Sequence, residues 1–498
     1  VKEVCNESLS GTGGGPGCTP WVTAANNGDA LNTYIYRLTV TNEDEAGTPL
    51  TTRAPAYDVT VTDTLDGSDL AYVIPFGSDG LNNDGDGATD EGATGEGSIS
   101  NNTVRDLPPD PAVLTFSYTH SSALERINAG DSVRLYYRVD FDDDAAPLQN
   151  FTNSAYATYD TLEGNFGSMS DPPLRANGDI GGARVYTSPT ASADVQIIPI
   201  ETQPKRIVAL SNTPIAGAGA QGVSIGEEIE YRLNTLLPVA LLRNFVIRDE
   251  LPPGITCAEA PTLDLGSTGP YAAAGFVPDT DVVPSCTDTE VQWIFNDRRI
   301  TAGTAGLGNR YDFEIGFIAR VANTAGNNDG DTITNGTPST NAYARYVDEL
   351  GATITQNFNE VDIQVREPLI DLTKTFAVAN ADAADVLTVT VTATNNGTAA
   401  AYNLRVLDDL TGTNLTYLGN VGGTNPPDSI DTVTLGANQP IFSWSAPNGI
   451  DPTSNISFTF EVRVDNGVEP QEILDNTIQA AWTSLPSQNT ALINGGAG

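Results

Sequence analysis

The sequence has few basic residues and only one histidine. Lysine and arginine together number 23 against 64 aspartates and glutamates, so the 498-residue chain has a formal net charge of -41. Nucleic acids and anionic membrane surfaces bind basic proteins, and we expect neither as a partner. A catalytic arrangement centred on histidine could use only His120, which has no nucleophile motif beside it. We therefore predict that the chain is not an enzyme.

Long apolar runs are also absent. No stretch approaches the roughly 20 residues that a membrane-spanning helix requires, and no charged-then-apolar leader stands at the N-terminus. We expect no membrane insertion. We also expect the chain to polymerise or to be held by a partner, because the sequence shows no anchor of its own.

Cysteine is limited to four residues in two local pairs, Cys5 with Cys18 and Cys257 with Cys286. Four cysteines allow three connectivities, of which local pairing is the simplest. Neither pair has CxxC spacing and no histidine cluster accompanies them, so we favour disulfides over zinc. Disulfides indicate an oxidising compartment, and we predict a secreted or cell-surface protein.

Alternating strands dominate the rest of the sequence. Apolar and polar residues alternate strictly in segments such as 34–41, 387–392 and 458–465, which is the period of a half-buried strand. No segment has a comparable helical period. The 48 glycines and 31 prolines fit short strands joined by many turns. The predicted fold class is all-β.

One order of strands occurs three times. Each copy has an alternating strand, a block that ends in Asp-x-Leu, a further strand and a closing strand. The Asp-x-Leu blocks are YDVTVTDTL (57–65), RNFVIRDEL (243–251) and YNLRVLDDL (402–410). The closing strands are FTNSAYATY (151–159), TNAYARYV (340–347) and DNTIQAAW (475–482). Repetition of this kind predicts three copies of one β-sandwich.

Short linkers that contain proline, at 197–205 and 365–374, separate the copies. We therefore predict three tandem domains, repeat 1 (1–198), repeat 2 (199–366) and repeat 3 (367–498). Such stiff linkers leave neighbouring domains little freedom, so we expect an extended rod.

The blocks resemble the conserved-repeat domains of bacterial surface proteins and the related isopeptide-forming domains of fimbrial subunits. The resemblance covers most of the chain and is clearest in repeat 3, in LTKTF (372–376), VTATNNGTAAAYNLRVLDDL (391–410) and LDNTIQAA (474–481). In repeat 2 it lies in VSIGEEIEYRL (223–233) and FVIRDELPPGI (245–255). The resemblance implies immunoglobulin-like sandwiches.

Lysine has an unusual distribution. The chain has three lysines, Lys2, Lys205 and Lys374, and each stands at the start of a repeat, on its expected first strand. Lysine used only as a surface charge would be scattered along the chain. Lysines that pair with aspartates on the surface are the alternative, and for a single repeat that alternative would be adequate.

The resemblance implies that each of these lysines condenses with an asparagine on the closing strand, releasing ammonia, with the help of an acid on a middle strand. The implied acids are Asp63, Asp249 and Asp408, and the implied asparagines are Asn153 in repeat 1 and Asn476 in repeat 3. In repeat 2 both Asn335 and Asn341 fit, and the sequence does not choose between them. It also leaves open whether the Lys2 strand completes its own domain or a neighbour's.

The chemistry requires burial. An amine must be neutral to attack a carboxamide, and an apolar core lowers the pKa of a lysine by disfavouring its charged form. The same core raises the pKa of an aspartate, and the resulting carboxylic acid can polarise the amide and carry protons.

An acidic loop in repeat 1, SDGLNNDGDGATDEG (78–92), has the spacing of a calcium loop. Its oxygen ligands would be Asn82, Asp84, Asp86 and Asp90, completed by Asp79 or Glu91. It departs from the EF-hand pattern because Ala93 stands where a bidentate glutamate is expected and because no helices flank it. We predict calcium as a cofactor, the alternative being a solvated acidic loop.

Together these features predict a structural subunit of a surface filament, stalk or layer, which associates with itself and is stiffened by isopeptide bonds, disulfides and calcium. The alternative is an adhesin that binds a carbohydrate or protein ligand at the cell surface through insertions in repeat 1, near 77–112 and 160–192.

Overall fold

The computed structural model describes residues 1–8, 10, 15–28, 32–43, 54–65, 72–73, 81–84, 98–100, 113–141, 144–160, 185–213, 219–258, 282–300, 310–445 and 449–486. These residues form 34 β-strands, one 3-10 turn at Gly15–Gly17 and one short helix, α1 (Ser122–Glu125). Among them, no helix has the length and apolar character needed to cross a membrane. The prediction of an all-β fold is confirmed.

Repeat 1 contains the first twelve strands. They are β1 (Lys2–Asn6), β2 (Ala24–Gly28), β3 (Thr33–Thr41), β4 (Ala56–Leu65), β5 (Tyr72–Val73), β6 (Ser98–Ser100), β7 (Val113–Ser117), β8 (Arg126–Ile127), β9 (Ser132–Asp140), β10 (Asn150–Asp160), β11 (Val185–Thr187) and β12 (Ala191–Ile197). One sheet has the order β1-β3-β9-β5. The second has the order β2-β12-β10-β4-β7-β6, with β11 beside β10 and β8 beside β4.

Repeat 2 contains fourteen strands. They are β13 (Glu201–Thr202), β14 (Arg206–Leu210), β15 (Gln221–Ser224), β16 (Glu228–Pro238), β17 (Leu241–Glu250), β18 (Ile255–Cys257), β19 (Val282–Cys286), β20 (Glu290–Phe295), β21 (Arg298–Arg299), β22 (Arg310–Val321), β23 (Thr332–Asn335), β24 (Ala342–Val347), β25 (Thr353–Asn357) and β26 (Val361–Arg366). The first sheet is β13-β16-β22-β18, with β14 beside β16. The strands opposite it form two sheets, β19-β20-β17-β24-β25, with β21 beside β17, and β15-β26-β23.

Repeat 3 is the simplest unit. Its strands are β27 (Ile370–Phe376), β28 (Val386–Asn395), β29 (Tyr402–Asp409), β30 (Leu415–Gly422), β31 (Ser429–Asp431), β32 (Ile441–Ser443), β33 (Asn455–Val464) and β34 (Thr477–Thr483). They form two four-stranded sheets, β27-β28-β33-β30 and β31-β32-β29-β34. Apolar residues from both sheets, such as Val391 on β28 and Val406 on β29, share one buried cluster, which makes the unit a β-sandwich.

Within the described residues, no strand pairs with a strand of another repeat. Each predicted repeat contains one large buried apolar cluster. The clusters follow from the alternation in the sequence, because every second side chain of a strand faces the same side. Hence Phe458, Phe460 and Val462 on β33 are all buried.

One detail of the predicted strand order is wrong. The blocks taken as closing strands are followed by two further strands in repeat 1 (β11 and β12) and in repeat 2 (β25 and β26). Of these, β12 pairs antiparallel with β10, and β26 pairs antiparallel with β23. A short strand also runs parallel to each of them, β2 beside β12 and β15 beside β26. Sequence alternation identifies strands well, but partners far apart in the chain are set by the packing of the whole sandwich.

The Asp-x-Leu strands share a bulge that the repeat analysis missed. Asp58, Asn244 and Asn403 have positive φ angles of 50°, 48° and 47°, and each lies five residues before the aspartate of its block. The pairing register of β4, β17 and β29 with the neighbouring strand shifts at these points. Asparagine and aspartate tolerate the left-handed region better than other residues with a side chain, so one backbone feature recurs in all three repeats.

Contacts also cross the predicted boundaries. Between repeats 1 and 2, the backbone N–H of Leu241 donates to the Ala145 carbonyl at 2.9 Å, and Arg299 pairs with Asp144. Between repeats 2 and 3, the Ser484 hydroxyl donates to the Ile225 carbonyl at 3.0 Å. The linkers are therefore reinforced by bonds between the units that they join.

Candidate functional site: three buried lysine–aspartate–asparagine clusters

The three lysines occupy equivalent places in the first sheet of each repeat. Lys2 lies on β1 and pairs with Leu38, and Lys374 lies on β27 and pairs with Val391. Lys205 directly precedes β14, in which Arg206 pairs with Arg232. Each lysine side chain crosses the core to an aspartate on the opposite sheet, on β4, β17 or β29.

In repeat 1 the cluster is a chain of hydrogen bonds. Lys2 Nζ donates to Asp63 Oδ1 at 2.6 Å, and the Tyr137 hydroxyl donates to Asp63 Oδ2 at 2.6 Å. Asn153 Nδ2 in turn donates to the Tyr137 oxygen at 2.6 Å. All four side chains are buried, with at most 1% of each residue exposed. The Lys2 strand pairs with β3 of its own repeat, so in this structure it completes its own domain.

In repeat 2, Lys205 Nζ lies 2.5 Å from Asp249 Oδ2, and both side chains are fully buried. The two groups form an ion pair without a well-aligned hydrogen bond. Asn335 is fully buried and close enough to Asp249 to lower its pKa. Asn335 Nδ2 has no hydrogen-bond partner among the described residues, while its Oδ1 accepts a bond from Thr340 at 3.3 Å.

The other candidate in repeat 2 lies elsewhere. Asn341 is exposed, and its Nδ2 donates to Glu250 Oε2 at 2.6 Å. Asn335 ends β23, which pairs with β26 as the Asn153 portion of β10 pairs with β12. The structure thus places Asn335 beside Asp249 and leaves Asn341 at the surface.

In repeat 3, Lys374 Nζ donates to Asp408 Oδ2 at 2.5 Å. Asn476 directly precedes β34 and lowers the pKa of Asp408, although neither carboxamide atom has a well-aligned hydrogen bond within the described residues. Ile478 pairs with Asp408 as Ala155 pairs with Asp63, so Asn476 and Asn153 both lie two residues before the partner of the aspartate.

Burial shifts the two ionisable groups of each cluster in opposite directions. It lowers the pKa of Lys2 to about 8, against a smaller raising effect from Asp63. It likewise lowers the pKa of Lys205 and Lys374. Burial raises the pKa of Asp63, Asp249 and Asp408, partly offset by the neighbouring lysine. Both shifts favour a neutral amine beside a protonated acid.

At least one aromatic ring lies beside the amine of each lysine. Lys2 Nζ lies 5.1 Å from the ring centroid of Tyr36 and 5.9 Å from that of Tyr137. Lys205 Nζ is 5.0 Å from the Tyr231 ring, and Lys374 Nζ is 5.7 Å from the Phe460 ring. These rings exclude water from the ammonium group and provide the apolar surroundings that lower the pKa of each lysine.

The two predicted disulfides are confirmed. Cys5 is joined to Cys18 with the Cα atoms 6.2 Å apart, and Cys257 is joined to Cys286 with the Cα atoms 6.0 Å apart. The first bond lies in a small apolar cluster with Ile35, Leu81 and Tyr136. The second joins β18 in the first sheet of repeat 2 to β19 opposite.

Only part of the predicted calcium loop lies in the described residues. Asn82 and Asp84 are described, whereas Asp79, Asp86, Asp90 and Glu91 lie outside them. The short segment is anchored by its backbone, because the Ser121 hydroxyl donates to the Asp84 carbonyl at 3.1 Å. Within the described part of the chain, no group of three or more histidines, cysteines or acidic residues could hold a metal. The calcium site stays a prediction.

The insertions that support the adhesin alternative lie largely outside the described residues, so the structure adds nothing to that alternative. Sequence reasoning did identify one lysine and one aspartate for each cluster. It missed Tyr137, because a tyrosine in an alternating strand is indistinguishable from any other core residue.

No family model matches the chain, and no curated protein sequence matches it. Among solved structures, the chain is similar to BcpA, the major pilin subunit of Bacillus cereus, at 12% identity and a TM-score of 0.27, over 91% of this chain and 94% of that one. It is similar to the major pilin SpaD from Corynebacterium diphtheriae at 9% identity and a TM-score of 0.23, over 89% and 90%.

A third similar structure is a putative membrane anchored protein from Corynebacterium diphtheriae, at 10% identity and a TM-score of 0.18, over 97% of this chain and 94% of that one. These TM-scores are too low to carry an argument. The fold therefore rests on the strand pairing described above, and the function on the clusters.

Proposed function

We propose that this chain is a structural subunit of a cell-surface filament, stalk or layer, and that a lysine–asparagine isopeptide bond crosslinks each of its three repeats. The bonds would join Lys2 to Asn153, Lys205 to Asn335 and Lys374 to Asn476. Asp63, Asp249 and Asp408 would assist the three condensations.

The observation that carries the proposal is the burial of every lysine of the chain against an aspartate with an asparagine close by. Burying a lysine–aspartate pair is expensive, because both charges lose their hydration. Other basic side chains form surface ion pairs, as Arg206 does with Glu314. Three core lysines at one topological position therefore indicate a role other than charge.

Condensation would remove the unfavourable free energy of burying this charged pair. The amine and the carboxamide become one amide, so the positive charge disappears and the aspartate can remain protonated as a hydrogen-bonding partner of the new bond. In repeat 2 this matters most, because Asp249 and Asn335 Nδ2 lack well-aligned hydrogen bonds among the described residues.

The placement of the bonds supports a mechanical role. Each would tie the side of the sandwich that holds the first sheet to the opposite side and close a loop of more than 100 residues. A covalent tie between the sheets prevents the sandwich from opening under tension or to proteases. The hydrogen bonds across the repeat boundaries would pass force from one unit to the next.

Intact mass tests the proposal. The reduced protein should be lighter than its sequence mass by one ammonia per crosslink, and peptide mapping should locate the bonds. In Asn335→Ala, the difference between the measured mass and the mass calculated from the variant sequence should be smaller by one ammonia than in the wild type. In the matched variant Asn341→Ala, this difference should be unchanged. A protein with its full sequence mass would contradict the proposal for all three lysines.

We further propose that the loop at 78–92 binds calcium. The anchoring of Asn83 and Asp84 supports this proposal, because ligands that are already fixed lose less entropy on binding: Asn83 Nδ2 donates to the Tyr136 carbonyl at 2.8 Å, and the Asp84 carbonyl accepts from Ser121. At a calcium concentration about 100 times the dissociation constant, binding would stabilise repeat 1 by about 2.7 kcal/mol. Calorimetry with calcium or a chelator tests this, with Asp84→Asn expected to reduce the difference. Identical unfolding temperatures would contradict the proposal.

A further inference from the structure

Repeat 1 differs from the other two repeats in the connection between its acid and its asparagine. Both oxygens of Asp63 are occupied, Oδ1 by Lys2 and Oδ2 by the Tyr137 hydroxyl. Asn153 is bonded to Tyr137 and not to Asp63. In repeats 2 and 3 the asparagine instead lies directly against the aspartate and lowers its pKa.

The strand register shows which residues correspond to Tyr137. Tyr137 on β9 pairs with Tyr36, which lies two residues before the partner of Lys2. By the same register, Phe317 pairs with Tyr231 in repeat 2 and Phe460 pairs with Val389 in repeat 3. The hydroxyl between acid and amide is therefore present in repeat 1, and a phenylalanine stands at that position in the other two.

The condensation requires one proton to move from the lysine amine to the leaving nitrogen. When a neutral lysine amine becomes an amide, Nζ loses one proton, and the departing Nδ2 must gain one to leave as ammonia. The carboxamide Nδ2 of Asn153 bonds to Tyr137, and Asp63 makes no hydrogen bond of its own to this leaving group among the described residues. A relay is needed between them.

Resting on the proposed crosslink, we propose that Tyr137 is a catalytic residue that relays the proton from Asp63 to the leaving nitrogen of Asn153. The amine of Lys2 attacks Cγ of Asn153 and gives a proton to Asp63 Oδ1. In the neutral form Asp63 carries its proton on Oδ2, so the hydrogen bonds along the chain reverse: Asp63 Oδ2 donates to the Tyr137 oxygen, and the hydroxyl hydrogen turns toward Nδ2, which gains a lone pair once Cγ is tetrahedral. The Oδ2 proton then passes to the Tyr137 oxygen, and the hydroxyl proton passes to Nδ2. The Cγ–Nδ2 bond breaks, ammonia leaves, and Asp63 and Tyr137 regain their starting protonation.

The geometry fits this sequence of transfers. Each pair of atoms along the route is 2.6 Å apart, and the carboxyl group receives on one oxygen and releases from the other, so it does not need to rotate. Burial raises the pKa of Tyr137 well above its ordinary value. The hydroxyl therefore stays neutral, which allows it to accept and donate in one step.

The test measures ammonia loss during refolding. The full chain is unfolded in denaturant before the bonds form, refolded, quenched at intervals, and mapped by mass spectrometry for each repeat. Tyr137→Phe installs the residue that repeats 2 and 3 have at this position, and it should slow the reaction of repeat 1 by about 100-fold. Repeats 2 and 3 of the same molecule should react at unchanged rates and serve as internal controls.

Tyr36→Phe is the matched control, because Tyr36 stacks on Tyr137 with the ring centroids 5.3 Å apart and its hydroxyl lies near Asn153, yet it has no well-aligned hydrogen bond among the described residues. It should slow repeat 1 far less than Tyr137→Phe. A solvent deuterium effect that is larger in repeat 1 than in repeats 2 and 3, and smaller in Tyr137→Phe, would support proton transfer through the hydroxyl.

The outcomes separate the relay from the crosslink itself. If wild-type repeat 1 loses no ammonia, the proposed crosslink of that repeat fails. If it does lose ammonia and Tyr137→Phe reacts as fast, or both tyrosine variants are slowed equally, the relay alone is overturned. Tyr137→Met, which fills the space without a hydroxyl, should reproduce the slowing and provides a second test if the phenylalanine variant folds poorly.

Discussion

At the scale of single residues, the most informative groups are the buried lysine and aspartate side chains, because ionised groups are more stable in water than in an apolar core. Lys2 and Asp63 each prefer water by several kcal/mol, and their mutual attraction does not fully offset the loss of hydration. Together they can exist as an ion pair or as a neutral amine and acid. Both forms carry the same number of protons, so the reactive neutral form is a constant fraction of the pair wherever the pair holds one proton.

Because the reactive form exists only while Lys2 and Asp63 share one proton, we predict a bell-shaped pH dependence for the rate of crosslink formation in repeat 1. The pKa of Lys2 is lowered to about 8, so above that pH the pair loses its shared proton and no acid remains. The pKa of Asp63 is raised above 3.8, so the acid limb lies above that pH, where both groups become protonated and the amine cannot attack.

Refolding at a series of pH values, with ammonia loss from repeat 1 measured at each, tests the profile. A rate that continues to rise well above pH 8 would show that the protonated form of Asp63 is not required. Repeats 2 and 3 should also give bell-shaped profiles, because burial shifts their lysines and aspartates in the same directions.

At the scale of elements, the three repeats share a bulge five residues before each aspartate. A bulge inserts one extra residue into a strand and increases its twist. The residue with positive φ therefore affects how the Asp-x-Leu strand faces the first sheet. Asn244 is the cleanest place to measure its effect, because its side chain is exposed.

We predict that Asn244→Gly changes the free energy of unfolding of repeat 2 by a few tenths of a kcal/mol or less, while Asn244→Ala costs about 1 kcal/mol. The left-handed region is sterically unfavourable for alanine, which has a Cβ atom, but not for glycine. Guanidinium unfolding followed by the fluorescence of the buried Trp293, with a Trp293→Phe chain as blank, measures both. Equal stabilities for the two variants would show that the backbone conformation is not the reason for asparagine here.

At the scale of the whole molecule, stability comes from several independent ties. Each repeat has its own apolar core. Disulfides close loops of 13 residues in repeat 1 and 29 residues in repeat 2. Repeat 3 has no cysteine, and its described residues contain no strand equivalent to β12 or β26. The proposed crosslink should therefore matter most in repeat 3.

We predict that Asn476→Ala lowers the free energy of unfolding of repeat 3 by about 4 to 5 kcal/mol. The estimate applies to a tie that closes a loop of about 100 residues in the unfolded chain. Hydrogen exchange measured on peptides of repeat 3 tests it. The exposed Asn455→Ala is the matched control and should change stability by less than about 0.5 kcal/mol. If both variants exchange alike, the crosslink does not stabilise repeat 3.

The sequence by itself determined the all-β class, the strands of the three repeats, the two disulfides, and the pairing of each lysine with one aspartate as a hypothesis. These are local or periodic properties, and alternation and block order express them directly. They do not require knowledge of which strand lies opposite which.

Only the tertiary structure placed Asn335, and not Asn341, beside Asp249, because the loop between β23 and β24 leaves Asn335 in the core and Asn341 exposed. It also placed Tyr137 between Asp63 and Asn153, added β12 and β26 beyond the expected closing strands, and showed the shared bulge. Each of these depends on contacts between residues distant in the chain, which packing sets and no single segment encodes.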